Sequence, residues 1–113
     1  MDYELMKEAY GMLYRIENDL REKISISMEK QYGIGWMISA PAANKFKPFV
    51  KNNLQDFYFH ELVSVASMYS CISIKSINEL LTILPIRNKI AHCNLLNIEE
   101  FNLLKQVSIS LKK

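Results

Sequence analysis

The N-terminal part of the chain carries one stripe of apolar side chains at helical spacing. Its members follow one another at intervals of three or four residues: Met6, Tyr10, Leu13, Ile16, Leu20 and Ile24. Such residues share one face of an α-helix, so the stripe predicts a single long amphipathic helix over about residues 2–32. Glu17 and Arg21 form an acid–base pair on its exposed face. Gly33 follows, and glycine commonly ends a helix.

Few residues in the chain favour turns. Its 113 residues include only 3 Gly and 3 Pro, whereas 50% are apolar and 23% are charged. A barrel or sandwich of many short strands needs more turn residues, and a disordered chain contains fewer apolar ones. The length is that of one domain, so we expect residues 1–113 to form a single unit. Together with the long first helix, this composition predicts an all-α, up-and-down bundle of four to five helices.

Two segments in the middle of the chain have the periodicity of amphipathic helices. The first covers about residues 57–68, and its buried side consists of Phe59, Leu62, Val63, Ala66 and Tyr69. In the second, Ser76 and Glu79 form a capping-box pattern that predicts a helix start. The apolar face that follows consists of Ile77, Leu80, Leu81 and Leu84.

Pro85 predicts a break or kink in this second segment, with a restart from Ile86 to Ala91. A last helix is predicted from a further capping-box pattern, formed by Asn97 and Glu100. Its inward side consists of Ile98, Phe101, Leu104, Val107 and Leu111.

Positive charge is concentrated between residues 30 and 53, where no acidic residue occurs. The lysines of this stretch are Lys30, Lys45, Lys47 and Lys51, and its aromatic residues are Tyr32, Trp36, Phe46 and Phe49. Lysines next to aromatic residues can bind a phosphate backbone and stack bases, so Lys45, Lys47 and Lys51 are candidate RNA contacts. The default interpretation is a solvated lysine loop whose aromatic side chains pack inward. A short helix near Pro48 is also predicted.

Cys71 and Cys93 have neither the spacing of a zinc motif nor a neighbouring cluster of ligands. We therefore expect both to be small apolar residues near the core, and we expect no metal and no cofactor. No apolar run reaches the ~20 residues of a membrane span, and the acidic N-terminus differs from a signal peptide. We therefore expect a cytoplasmic protein without a membrane partner.

One segment carries residues with catalytic chemistry, the sequence PIRNKIAHCN at positions 85–94. It places Arg87, Asn88 and His92 close together, directly after the proline. On a continuous α-helix, residues five positions apart point about 140° away from each other. Arg87 and His92 can therefore share a site by two routes. Either the helix ends between them, with His92 at a helix terminus or loop before Asn94, or two copies of the chain form a shared cleft.

These three side chains suit phosphodiester transfer. Histidine titrates near neutral pH and can take a proton from a ribose 2′-hydroxyl or give one to a leaving oxygen. Arginine can hold two phosphate oxygens as negative charge develops, and asparagine can orient a hydroxyl or the arginine. In the alternative, these residues have a structural role: Arg87 binds surface carbonyls, and His92 lies at a helix end with its hydrogen-bonding groups satisfied. The residues alone leave both interpretations open.

The segment from Arg87 to His92 resembles the R-x4-H motif of the HEPN superfamily, including the polar residue that the family prefers after the arginine. The surrounding NELLTILPIRNKIAHCNLL, the opening LYRIENDLREKI and the following YGIGW also look like segments of bacterial members. The resemblance implies an all-α bundle that dimerises and brings two motifs into one cleft. It also implies a metal-independent endoribonuclease, in a toxin or phage-defence setting, that leaves 2′,3′-cyclic phosphate ends.

Carried over to this chain, the resemblance assigns Arg87 to binding the scissile phosphate, Asn88 to positioning it and His92 to acid–base catalysis. Lys89, inside the motif, is a further candidate RNA contact. The HEPN branch that pairs with a nucleotidyltransferase antitoxin has a tyrosine two positions after the histidine, where this chain has Asn94. The expected partners are RNA and a second copy of the chain, with an antitoxin or defence-system protein as a further candidate.

A second interpretation is a non-catalytic helical module that docks on a partner protein, as other HEPN domains do. The net charge of only +2 and the apolar richness of the chain favour it. A DNA-binding regulator has little support, because no recognition-helix pattern occurs and the charge excess is small.

Overall fold

The computed structural model of the chain describes residues 3–40 and 53–111. In these two ranges the protein is all-α, which confirms the predicted helical bundle with its long first helix. The helices are α1 (Tyr3–Tyr32), the single turn α2 (Trp36–Ser39), α3 (Phe59–Met68), α4 (Ile74–Thr82), α5 (Leu84–Ala91) and α6 (Ile98–Leu111). A short 3-10 turn, Leu54–Asp56, precedes α3.

Helix α1 is the element on which the bundle is built, and it packs against α6, α3 and α5. Most of its predicted stripe is buried: Leu13, Ile16, Leu20 and Ile24. The predicted burial of Tyr10 is wrong, because its side chain is 59% exposed. The buried line continues through Met12 and Ala9, and Tyr10 projects about 100° away from Ala9 around the helix. As predicted, the helix ends at Gly33, which has φ +88° and donates its N–H to the Glu29 carbonyl at 2.8 Å.

The predicted buried side of α3 is confirmed, with all five residues inside the core. The start of α4 differs from the prediction. Ser73, three residues before Ser76, is its N-cap, and Ser73 Oγ accepts the Ser76 N–H at 3.1 Å. The expected core position of Leu81 is also wrong, since this side chain is exposed and Ile83 is fully buried instead.

Pro85 breaks the helix as predicted. Ile83 ends α4 and at the same time precedes α5, whose first turn contains Pro85. A proline is tolerated in a first turn because its missing N–H has no helical partner there. The chain therefore restarts at once, and α5 carries the residues from Arg87 to Ala91.

The predicted capping box at the start of α6 is confirmed. Asn97 Oδ1 accepts the Glu100 N–H at 2.8 Å, and Glu100 Oε1 accepts the Asn97 N–H at 2.9 Å. The predicted inward side of α6 is confirmed for Phe101, Leu104 and Val107, which are buried, and Leu111 is half-buried. The prediction is wrong for Ile98, which is exposed. Leu96, just before the cap, occupies the buried position at this end.

Two of the aromatic residues within the basic stretch pack inward, as the default interpretation predicts. Trp36 is buried in the core, and the Tyr32 ring meets the Tyr69 ring edge-on at 6.1 Å between centroids. The remaining residues of that prediction lie outside the described residues: Lys45, Phe46, Lys47, Pro48, Phe49 and Lys51. Among the helices that are described, none combines the length and the apolar character needed to cross a membrane.

Candidate functional site

The end of α5 is held by a turn that closes directly after His92. Asn94 donates its N–H to the Lys89 carbonyl at 2.8 Å, and Cys93 donates to the Ile90 carbonyl at 3.0 Å. These two bonds, with Cys93 at φ +58°, form a Schellman motif. His92 is thus the C-cap of α5, which confirms its predicted place at a helix terminus. Cys93 is exposed, contrary to the expectation that it lies near the core, because it occupies this turn rather than a helix face.

Arg87 and His92 do not face one site within a single chain. The last residue of α5 is Ala91, so the helix ends between the two residues as the first route expects, but only directly before His92. The turn closes after His92, and the two side chains keep the roughly 140° separation of a regular helix. The first route alone therefore does not bring the two side chains together, and the second route, a cleft shared by two copies, stays a prediction.

Arg87 lies against helix α1. Its Nε is 3.4 Å from Oε1 of Glu17, and both side chains are largely buried. Glu17 also lies 3.8 Å from Arg21 Nη2, so one carboxylate sits between two guanidinium groups. Arg21 in turn donates to the carbonyls of Leu54 and Phe57, at 3.4 Å and 3.3 Å. The predicted pair of Glu17 and Arg21 is present, but it is largely buried and does not lie on an exposed face.

Beside Arg87 is an open groove of about 380 Å³ between α1 and α5. It is lined by Tyr10, Leu13, Tyr14, Glu17, Arg87, Ile90, Ala91 and Cys93. His92 is not among the lining residues, and both His92 and Asn88 are exposed at the end of α5. The groove thus has an apolar floor, two exposed tyrosines and a charged end formed by Glu17 and Arg87.

Lys89 is paired with helix α6. Its Nζ lies 2.9 Å from Oε2 of Glu100, the residue that also caps α6. The hydrogen bond from the Asn97 backbone, followed by that from Lys89, holds the pKa of Glu100 below its ordinary value. This contact ties the C-terminal half of α5 to the start of α6. The contact of Lys89 with RNA stays a prediction, and an RNA phosphate would have to compete with Glu100.

Sequence reasoning missed Glu17, Tyr10 and Tyr14 as residues of this site. Glu17 is separated from Arg87 by 70 positions, so no local pattern links them. The periodicity of α1 assigns Tyr10 to the core because Tyr10 fits the same spacing as its apolar neighbours.

In the two described ranges, no group of three or more His, Cys, Asp or Glu side chains is arranged to hold a metal ion.

The chain matches no model of a protein family, no curated protein and no solved structure. The fold and the groove define an all-α bundle with an arginine-containing surface cleft. The HEPN assignment rests on the motif at Arg87 to His92 and stays a prediction.

Proposed function

We propose that this protein is a homodimeric, metal-independent endoribonuclease of the HEPN type, acting in a toxin or phage-defence setting. The observation that carries the proposal is the environment of Arg87. A carboxylate holds its Nε, while its two Nη groups make no hydrogen bond to any residue in the described ranges. An arginine that is partly exposed and has both Nη groups available, at the end of a groove of nucleotide size, is suited to bind a phosphodiester.

In the proposed reaction, His92 of one copy accepts the proton of a ribose 2′-hydroxyl. The 2′-oxygen attacks phosphorus, the bond to the 5′-oxygen breaks, and the same His92 returns the proton to that leaving oxygen. The products are a 2′,3′-cyclic phosphate and a free 5′-hydroxyl. Arg87 stabilises the negative charge that develops on the phosphate oxygens, and no metal or cofactor takes part.

Glu17 and Asn88 have supporting roles in this proposal. Glu17 fixes the direction of the Arg87 guanidinium through Nε, which leaves the Nη edge for the phosphate. Asn88 is exposed about 100° around α5 from Arg87, so its proposed contact with the phosphate depends on the cleft shared by two copies. Lys45, Lys47, Lys51 and Lys89 are kept as candidate contacts to the flanking RNA.

Mixing two inactive variants tests the shared cleft. Arg87→Ala and His92→Ala are each expected to be inactive, whereas a mixed dimer contains one site with an intact arginine from one copy and an intact histidine from the other. A one-to-one mixture should regain about a quarter of wild-type cleavage, since half of the dimers are mixed and half of their sites are complete. A mixture as inactive as its components, under conditions where subunits exchange, contradicts the cross-dimer pairing.

The alternative function is a non-catalytic module that binds a partner protein, and one surface favours it. A groove of about 200 Å³ between α3 and α4 is lined by Val63, Ser64, Ser67, Met68, Ile77 and Leu81. Met68 and Leu81 are exposed, as is Ile74 at the start of α4. Such an apolar surface is suited to a protein partner. Folded, dimeric wild-type protein that cuts no RNA would support this alternative over the nuclease.

A further inference from the structure

The N-terminal half of α1 presents an exposed aromatic stripe beside the groove. Tyr3, Lys7, Tyr10 and Tyr14 fall within about 40° of one line along the helix, at 100° per residue. Tyr10 and Tyr14 are 59% and 58% exposed, although burying either ring would remove a large apolar surface from water. Both rings line the groove that ends at Arg87.

Two cations lie near the tyrosines of the groove. Lys7 lies beside the stripe, with its Nζ 5.7 Å from the centre of the Tyr3 ring, and Arg87 lies at the far end. The acids Glu4 and Glu8 lie about 90° and 130° around α1 from the centre of the stripe, where they line a shallow pocket together with Lys7. Among the described residues that line the groove, Glu17 is the one acid, and its carboxylate is paired with Arg87 and Arg21.

The shape of the site favours unpaired bases. Tyr10 and Tyr14 are one helical turn apart, about 6 Å along the axis, so the two rings can meet successive bases of one strand. Bases stack on aromatic side chains only when they are free of a duplex, because in a duplex both faces of each base are covered. The groove of about 380 Å³ has room for one nucleotide, with Leu13 and Ile90 among its lining residues.

We propose that Tyr10 and Tyr14 form a stacking platform for the bases of a single-stranded RNA whose phosphate is bound by Arg87. This inference rests on the proposed function and specifies its substrate class: unpaired RNA is bound and duplex RNA is not. The tyrosines act by their ring faces, so the hydroxyl groups are dispensable.

The test measures RNA binding without cleavage. Every protein carries His92→Ala, and fluorescence anisotropy follows a labelled eight-nucleotide RNA without self-complementarity, alone or annealed to its complement. Tyr10→Ala and Tyr14→Ala should each weaken binding of the single strand by roughly 5- to 100-fold, the range measured for loss of one stacked base. Tyr10→Phe and Tyr14→Phe should bind within about twofold of the parent. Ile109→Ala, which removes an exposed apolar side chain on α6, is the matched control and should also leave binding unchanged.

Three results would overturn the platform. The first is unchanged affinity in both alanine variants, and the second is duplex binding as tight as single-strand binding. The third is conversion of the dimer to monomers by Tyr10→Ala or Tyr14→Ala in sedimentation, which would assign the tyrosines to the interface between copies. The result of this binding test is separate from the result of the cleavage test of the proposed nuclease. Tyrosine-dependent binding by a protein that never cuts would support the platform alone, and cutting with tyrosine-independent binding would support the nuclease alone.

Discussion

Arg87 Nε and Glu17 Oε1 lie 3.4 Å apart although 70 positions of the chain separate the two residues. Both side chains are largely buried, and Glu17 is shared with Arg21. Because Arg21 also binds two backbone carbonyls before α3, the contact joins the motif on α5 to α1 and to the start of α3. The direction in which Arg87 points is thus set by the tertiary structure.

Replacement of Glu17 should destabilise the fold. Glu17→Ala leaves two largely buried guanidinium groups without their carboxylate, and we expect a loss of about 1–3 kcal/mol in the free energy of unfolding. Glu17→Gln, which keeps an acceptor oxygen for Nε, should lose less. Glu8→Ala removes an exposed acid from the same helix and should stay within about 0.5 kcal/mol of wild type. Urea denaturation measures all three, and equal stability of Glu17→Ala and Glu8→Ala would show that the network contributes nothing.

Cys93→Gly should stabilise the protein. Cys93 has φ +58° in the turn that ends α5, a conformation that is unfavourable for a residue with a Cβ and natural for glycine. We expect a gain of about 0.5–1 kcal/mol in thermal or urea unfolding. Cys93→Ala removes the thiol but keeps the Cβ, so it should match wild type. A glycine variant no more stable than the alanine variant would contradict the assigned turn.

Local patterns predicted the helices well and their first residues less well. The pattern at Asn97 and Glu100 gave the right start because both reciprocal bonds form there. The same pattern at Ser76 and Glu79 was misleading, since Ser73 lies one turn earlier and its hydroxyl already accepts the Ser76 N–H. Two serines three residues apart can each cap a helix, and packing of the residues around them decides between them.

Substitution of the two serines distinguishes the two starts of α4. Ser73→Ala removes the side-chain acceptor of the N-cap and should cost about 1 kcal/mol in the free energy of unfolding. Ser76→Ala leaves the backbone N–H that Ser73 binds and should cost less than half as much. A larger loss for Ser76→Ala would place the cap where the sequence pattern predicted it.

The Glu100 carboxylate makes stability depend on pH. Because its pKa is lower in the folded protein than in the unfolded chain, its contribution is present above the ordinary carboxyl pKa of about 4.3 and is lost as pH falls through the lower folded value. Glu100→Gln keeps an acceptor for the cap but carries no charge. We expect wild type to be more stable than this variant at pH 7, by about 1 kcal/mol or less, with the difference shrinking below pH 4. A difference independent of pH between 3 and 7 would contradict the role of the charge.

Part of the candidate site can be predicted from local sequence patterns, and the rest depends on tertiary packing. Arg87, Asn88 and His92 are recognisable because they lie within one short segment, and the break at Pro85 places that segment on its own helix. The groove cannot be predicted from the sequence, since Tyr10 fits the apolar stripe of α1, whereas the buried line of the helix runs through Ala9 and Met12. Asymmetric packing of this kind leaves no periodic signal.

The measurement that tests the central claim most directly is RNA cleavage in the presence of a metal chelator. Purified wild type, His92→Ala, Arg87→Ala and His60→Ala are incubated with mixed cellular RNA, and the fragment ends are determined. His60 is an exposed histidine on α3, so its replacement controls for loss of an imidazole. We predict cutting by wild type and His60→Ala that leaves 2′,3′-cyclic phosphate ends, and a loss of more than about 100-fold in the other two. Cleavage by folded His92→Ala at the wild-type rate would contradict the account.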